Sequence, residues 1–158
     1  MAAADDLPRG HPRARSARPT VLIVDDNVAF LRVVRALLEE GDPPFTVYEV
    51  ETGEAALAFM AGERGIPAAW RPAFMVLDFH LPDMDAPEVL ARMRRRAGMR
   101  DIPVLVLSQA EWAEDEAAAA AAGSRRFRTK PSELEDLHAL IVQFWRDLTG
   151  PSESPVLR

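Results

Sequence analysis

Charged and hydroxyl side chains come directly after three short apolar runs of the chain and after a fourth, weaker run around Phe127. These residues are Asp25, Asp26, Asp78, Ser108 and Lys130. Short apolar runs between helical patterns are typical of buried parallel strands, and ligands bind beyond the carboxyl ends of such strands. Carboxylates gathered at one edge repel one another, and a hard divalent cation such as Mg²⁺ relieves that repulsion. The sequence therefore predicts one acidic crevice that contains a metal ion, a lysine and a hydroxyl.

The elements that would position these residues alternate regularly along the chain. Strands are predicted at 21–24, 45–50, 74–77, 102–107 and 125–129. Helices are predicted from Asp26 or Asn27 to Gly41 and at 53–60, 87–96, 111–122 and 132–148. This alternation predicts an α/β fold, a flavodoxin-like (βα)5 doubly wound parallel sheet with strand order 2-1-3-4-5. Right-handed crossovers then bring strands 1, 3, 4 and 5 together with their carboxyl ends at one edge.

Two helices carry more specific expectations. Gly123 is placed to end the fourth helix in a left-handed conformation, and the alanine run 117–122 before it predicts a thinly packed helix. The last helix has more apolar residues than one face of a sheet needs. We therefore expect its Phe144 and Trp145 to join a homodimer contact.

Length, cysteine content and hydropathy exclude several classes of protein. At 158 residues the chain suits one domain with a substantial core. The absence of cysteine excludes a disulfide scaffold, thiolate catalysis and thiolate metal sites. No apolar run approaches the ~20 residues of a membrane-spanning helix. We expect a soluble, cytoplasmic protein with no membrane partner.

The net charge of −6 is unevenly distributed. Residues 1–19 hold four arginines and two aspartates, a net charge of +2, which leaves −8 for the remainder. An acidic body argues against nucleic-acid binding, because such binding depends on Lys and Arg contacts to phosphate. The composition predicts a disordered basic leader at 1–18, one folded domain at 19–148 and a flexible tail at 149–158.

The motifs, taken together and in order, resemble the receiver domain of two-component response regulators. The matching features are the Asp25-Asp26 pair, the Asp78-x-x-Leu81-Pro82-Asp83-Met84-Asp85 stretch, Ser108 after a strand, and Lys130-Pro131. The resemblance covers about residues 19–148. It implies a single-domain response regulator that accepts a phosphoryl group from a cognate histidine kinase on Asp78. Such a protein signals by protein contact or phosphorelay and is not an enzyme beyond its own phosphoryl transfer and autodephosphorylation.

The resemblance also assigns a metal site. Mg²⁺ would be held by Asp25, Asp26, Asp78 and the backbone carbonyl of His80. The alternative interpretation is that one of the two residues Asp25 and Asp26 caps a helix while the other is solvated. The side chain of His80 is expected to point away from the metal, and a histidine ligand is the alternative.

Three further residues receive roles from the resemblance. Lys130 would pair with Asp78 and then with the added phosphate, Ser108 would hydrogen-bond that phosphate, and Phe127 would be a switch aromatic. The alternatives are a surface lysine at position 130 and a plain core aromatic at position 127. Many receivers have a cis peptide between the residues that match Lys130 and Pro131.

Two positions depart from the family pattern, and other features narrow the resemblance. Ala86 stands where glycine is usual, and a positive φ at this position would strain its backbone. Gln109 stands where a small residue is usual, and this longer side chain could alter the lifetime of the phosphoryl group. Arg71-Pro72, the Asp-x-x-Leu-Pro form and Phe144-Trp145 resemble the stand-alone regulators paired with bacterial phytochrome histidine kinases.

Two rival functions fit the same residues. One is a Mg²⁺-dependent phosphatase or phosphotransferase with an aspartyl nucleophile; its haloacid-dehalogenase form needs Asp-x-Asp, whereas Asp78 is followed by Phe79 and His80. The other is a receiver-like interaction domain that works without phosphorylation, which Ala86 and Gln109 make conceivable.

Overall fold

The computed structural model describes residues 18–62, 71–109 and 112–150, which form five parallel strands and five helices in alternation. The strands are β1 (Thr20–Val24), β2 (Thr46–Val50), β3 (Phe74–Asp78), β4 (Val104–Ser108) and β5 (Arg126–Thr129). The helices are α1 (Val28–Glu40), α2 (Gly53–Met60), α3 (Ala86–Arg94), α4 (Ala113–Ala122) and α5 (Leu134–Thr149). The predicted leader, apart from Arg18, and positions 151–158 of the predicted tail lie outside the described residues.

The sheet has the strand order β2-β1-β3-β4-β5, which confirms the predicted flavodoxin-like topology. All four strand pairs are parallel, so every strand presents its carboxyl end at the same edge. β3 and β4 are buried along their whole length. Continuous apolar strands of this kind arise because helices cover both faces of a parallel sheet.

Two apolar cores lie on opposite faces of the sheet, because successive side chains of a strand point to opposite sides. In β1, Leu22 and Val24 pack on the face covered by α2, α3 and α4, while Val21 and Ile23 pack on the face covered by α1 and α5. Both cores are completed by residues from every central strand. The double layer fixes the strand ends, and with them the side chains that follow.

The fourth helix ends as predicted. Gly123 has φ of 106° and ψ of 20°, and its N–H donates to the last turn of α4. Ala119 is the single buried side chain among the residues of α4, all of which are described. The expectation of a thinly packed helix is therefore confirmed, since few apolar contacts hold α4 against the sheet.

The apolar residues of α5 that looked excessive in the sequence pack mostly in the core. Phe144 is completely buried against Phe74, with ring centroids 5.6 Å apart, so it offers no surface to a partner and the expectation of a Phe144 dimer contact is wrong. Trp145 stacks on Phe74 and lies edge-on to Phe45 but keeps part of its surface exposed. No helix within the described ranges, α5 included, is long and apolar enough to span a bilayer.

Replacing Gly123 by alanine should lower the free energy of unfolding by about 1–2 kcal/mol. The backbone at φ of 106° is one that L side chains rarely adopt, and a Cβ would lie 2.9 Å from the Arg94 guanidinium. Chemical denaturation measures the loss. Gly123→Asn is the control, because asparagine tolerates the left-handed region better, and equal losses in both variants would contradict the backbone explanation.

Candidate functional site

Three carboxylates meet at the carboxyl edge of the sheet. Asp25 and Asp26 follow β1, Asp78 ends β3, and these two strands are direct neighbours with Val24 paired to Leu77. One oxygen from each carboxylate lies within 4.8 Å of the other two. Asp25 and Asp78 are buried, whereas Asp26 is exposed. The strand register thus produces the acidic crevice that the sequence predicts.

Lys130 enters this crevice from β5, the edge strand on the far side of β4. Its backbone N–H donates to the carbonyl of Ser108 at 2.7 Å, which fixes the starting point of the side chain. The ammonium lies 2.5 Å from Asp25 Oδ2 and 4.0 Å from Asp78 Oδ1, and the side chain is only 9% exposed. Neighbouring strands are ~4.8 Å apart, so the four methylenes of lysine are needed to reach across β4. The surface-lysine alternative is excluded by this burial.

The charge of the crevice suits a divalent cation. Three carboxylates and one ammonium leave two net negative charges among Asp25, Asp26, Asp78 and Lys130. The Asp25 carboxylate accepts a hydrogen bond from the Asn27 N–H at 2.9 Å and another from Lys130. Donors that are all oxygen atoms are typical of Mg²⁺ and related hard cations. The residues present therefore fit such an ion.

Burial shifts the acid strength of Asp78. Removal from water raises the pKa of Asp78 from 3.8 to about 6; the ammonium of Lys130 opposes this shift, and the charges of Asp25 and Asp26 add to it. Desolvation disfavours the ionised form of a carboxylic acid. A cation bound among the carboxylates would favour the ionised form instead.

The segment between β3 and α3 is fastened to two neighbouring elements. The Phe79 N–H donates to Leu107 at 2.9 Å, and the Ala86 N–H donates back to Phe79 at 2.8 Å. The carboxylate of Asp83 accepts hydrogen bonds from the N–H groups of Gly53 and Glu54, each 2.9 Å long, at the start of α2. We call this contact the Asp83 anchor. It satisfies donors that a helix N-terminus leaves unpaired, and its negative charge suits that end of the helix.

The His80 side chain points out of the crevice. It is 61% exposed, its Nδ1 is 3.3 Å from Asp85 Oδ1, and its Nε2 is 3.8 Å from Asp115 Oδ2 on α4. Within the described ranges, the metal-capable cluster comprises Asp25, Asp26 and Asp78 without His80. The position of the imidazole agrees with the expectation that the ring is not a metal ligand.

Ser108 and Phe127 lie where β4 and β5 leave the sheet. Ser108 is 1% exposed and one residue beyond Leu107, the register partner of Asp78. The Phe127 ring is buried and meets Phe79 edge-on, with centroids 6.2 Å apart. A groove of about 390 Å³ between α4 and β5 borders the same ring. Phe127 therefore has both a packed position and adjacent open space.

Two contacts of the site were not foreseen from the sequence. The ring centroid of Phe30, an apolar residue at helical spacing in α1, lies 4.1 Å from the Lys130 Nζ. Asp83 belongs to the motif that follows Asp78, and its hydrogen bond to α2 spans 30 residues of sequence. Neither a helical period nor a strand end predicts such contacts. The capping of α1 by Asn27, whose side chain accepts from the Phe30 N–H, agrees with one of the two expected caps.

The departures from the family pattern have modest structural effects. Ala86 is the first helical residue of α3, so no left-handed backbone conformation is required of it. Gln109 is exposed beside the strand end. In the described residues the cis peptide bond lies at Asp42–Pro43, and Lys130–Pro131 is trans.

Residues 21–142 match the response regulator receiver domain family. The chain belongs to this family. Response regulator Rcp1 of Synechocystis sp. is 30% identical over 128 residues, which are 79% of this chain and 87% of Rcp1. The resemblance to receiver domains is confirmed, and the chain is a two-component signalling protein that accepts phosphorylation.

Two solved structures of relatives are closely similar to this fold. The phosphorylated cyanobacterial phytochrome response regulator RcpA is 28% identical with a TM-score of 0.72, covering 82% of this chain and 93% of RcpA. The Mn²⁺-bound form of Rcp1 is 26% identical with a TM-score of 0.70, and the match covers 84% of this chain and 96% of the Rcp1 chain. These relatives confirm the finer resemblance to phytochrome regulators. The carboxylate cluster of this chain also suits a divalent metal.

Without divalent cations, Asp78 should contribute a fall of about 1–2 kcal/mol in the free energy of unfolding as the pH rises from about 4 to about 7. The folded protein holds this proton more tightly than the unfolded chain, because the pKa is raised to about 6. The contribution is therefore fully present below the unfolded pKa of 3.8 and lost as the pH passes 6.

Denaturation of Asp78→Asn over the same range measures this contribution, since the variant lacks the ionisation. It should be more stable than the unaltered protein at neutral pH and equal to it in acid. Asp101→Asn, at an exposed position before β4, is the matched control and should follow the unaltered protein. The same pH dependence in Asp78→Asn and the unaltered protein would refute the assignment.

Proposed function

We propose that Asp78 accepts a phosphoryl group from a cognate histidine kinase and that Mg²⁺ is the metal required. The observation that carries the proposal is the position of Asp78: buried at the end of β3, with carboxylates on one side and the Lys130 ammonium 4.0 Å away. Membership of the receiver family supports a histidine kinase as the donor. The names of the relatives support a phytochrome-type kinase.

The contacts of the three carboxylates favour Asp78 as the acceptor. Asp25 is engaged on one oxygen by the Asn27 N–H and on the other by Lys130. Asp26 is exposed to water, which weakens the electrostatic help available to a reacting group there. Asp78 ends the strand between β1 and β4, where it has Asp25 and Asp26 as neighbours and the Lys130 ammonium 4.0 Å away. It is thus the carboxylate best placed to attack phosphorus.

In the proposed reaction an oxygen of Asp78 forms a bond to phosphorus as the phosphorus–nitrogen bond of the phosphohistidine breaks. The histidine leaves with the electron pair and takes up a proton. Mg²⁺, held by Asp25, Asp26, Asp78 and the backbone carbonyl of His80, would neutralise charge on the phosphoryl oxygens. The chain itself contributes positioning and a preorganised ammonium, which is how such transfers are mainly accelerated.

Lys130 and Ser108 would then hold the product. The phosphoryl group adds about −1.5 to −2 charges and three acceptor oxygens to the crevice. Lys130 is already only 4.0 Å from Asp78 Oδ1, so a small shift away from Asp25 brings it to the phosphate. Ser108 is buried one residue beyond Asp78's neighbour on β4, which places its hydroxyl at the same edge.

Phe127 and α4 form the proposed switch. The ring of Phe127 packs on Phe79, the residue after the acceptor, and the groove beside it is bordered by Trp112 and Arg128. A movement of Ser108 toward phosphate would draw the following segment inward. Because α4 buries only Ala119 of its own residues, its displacement exposes little apolar surface. The altered α4–β5 surface would be the signal.

The proposed output is protein contact or phosphorelay, with no enzymatic activity beyond the protein's own phosphorylation and autodephosphorylation. The cytoplasm is the proposed location, since a receiver must meet the ATP-dependent part of its kinase. Nucleic acid and membranes are not proposed as partners, in keeping with the acidic charge.

Incubation with Mg²⁺ and a small phosphodonor such as acetyl phosphate should add one phosphoryl group, seen by intact mass. Asp78→Asn should abolish labelling, because the nucleophile is gone, and chelation of the metal should do the same. Asp101→Asn keeps the crevice and should label normally. Donor turnover without an adduct would favour the phosphatase alternative, and no adduct from a small donor or a kinase would favour the phosphorylation-independent domain.

We also propose a homodimer through the exposed side of α5 around Trp145. Phe144 is buried and takes no part in this contact. Arg146 is exposed beside Trp145, so Arg146→Glu should weaken self-association, because the reversed charge repels an acidic group that the arginine meets across a symmetric contact. Sedimentation at roughly tens of micromolar measures this. Arg95→Glu, at the exposed C-cap of α3, is the matched control. A monomeric unaltered protein, with and without phosphorylation, would contradict the dimer.

A further inference from the structure

The Lys130 ammonium has a third partner besides its two carboxylates. The ring of Phe30, in the first turn of α1, lies with its centroid 4.1 Å from Nζ. This is well inside the range of a cation–π attraction, which is strongest where the cation is shielded from water. The side chain of Lys130 is only 9% exposed, so that condition holds here.

We propose that Phe30 is a positioning residue for phosphoryl transfer, because its ring face keeps the Lys130 ammonium inside the crevice. The inference rests on the proposed role of Lys130 at Asp78. The ring donates nothing to the reacting atoms and acts through the lysine alone. It covers one side of the ammonium and excludes water from it, while Asp25 and Asp78 attract it from other sides.

The position of Phe30 is set by a closed series of contacts. Asp25 accepts from the Asn27 N–H at 2.9 Å, and the Asn27 side chain accepts from the Phe30 N–H at 3.1 Å. The Phe30 ring meets Lys130, and Lys130 returns to Asp25 at 2.5 Å. Phe30 also packs against the core between α1 and α5. The helix cap, the metal-site carboxylate and the lysine thus fix one another.

The character of the ring matters because the ammonium must change partners. It starts on Asp25 and must reach a phosphoryl group on Asp78, a short displacement given the present 4.0 Å separation. The attraction of an ion to a ring face depends less on direction than a hydrogen bond does. The ring therefore holds the ammonium throughout that displacement, whereas leucine at this position would allow the lysine to turn toward water.

The decisive test varies the electron density of the ring while nearly preserving its shape. Phenylalanine with one, two or three ring fluorines is placed at position 30, and phosphorylation by saturating acetyl phosphate with Mg²⁺ is timed by intact mass. The maximal rate should fall stepwise with fluorination, about threefold to tenfold at the third fluorine. The donor concentration for half-maximal rate should stay unchanged, because the donor does not touch the ring.

A second readout needs no phosphoryl transfer. In the metal-free protein, NMR of the Lys130 ε-methylene should show the upfield shift that a ring face causes. Phe30→Leu should remove this shift, and Phe30→Tyr should retain it. Phe59→Leu, which removes a buried ring from α2 remote from Lys130, controls for lost stability and should leave both the shift and the maximal rate unaltered.

The outcomes separate this inference from the proposed function. A flat maximal rate across the fluorinated series, or a Lys130 shift indifferent to Phe30→Leu, would overturn the positioning role while labelling of Asp78 stands. Failure of the unaltered protein to label, with the Lys130 shift intact, would instead remove the function and leave the contact. A stepwise fall in rate together with loss of the shift in Phe30→Leu supports the inference.

Discussion

The site depends on a charge imbalance that the fold imposes. Three carboxylates are carried to one edge by β1 and β3, and a single ammonium reaches them across β4 from Lys130. A buried ion pair is seldom more stabilising than a well-packed apolar pair of the same size. Lys130 and Asp25 are thus poorly explained by stability alone. They are explained by what the remaining negative charge attracts, first a divalent cation and then an anionic group that the cation and lysine share.

Much of this arrangement could be predicted because it depends on local patterns. Unbroken apolar runs identified β1, β3 and β4, weaker patterns identified β2 and β5, and the alternation of strands with helices predicted the order of the sheet. Since parallel strands end at one edge, the residues after those runs had to meet, as Asp25, Asp78 and Lys130 do. The left-handed end of α4 at Gly123 followed from glycine's freedom in that conformation.

The failures share a physical cause, which is contact between residues remote in sequence. The apolar residues of α5 looked excessive only because a helical pattern does not reveal Phe45 and Phe74, the rings that receive Trp145 and Phe144. Phe30 looked like one more core residue of α1, and nothing in its spacing indicated the lysine beyond the last strand. Such pairings depend on side-chain geometry between elements of the folded chain, so composition and periodicity do not predict them.

Because of the Asp83 anchor, the segment after Asp78 is bonded more firmly to α2 than to α4. Toward α2, one carboxylate receives two backbone hydrogen bonds of 2.9 Å; toward α4, the link is an exposed His80 with its Nε2 3.8 Å from Asp115. A disturbance at the acceptor therefore meets high resistance on the first side and low resistance on the second. The contacts of the unphosphorylated protein therefore favour movement toward α4. A protein partner would detect the change by binding on the α4 side.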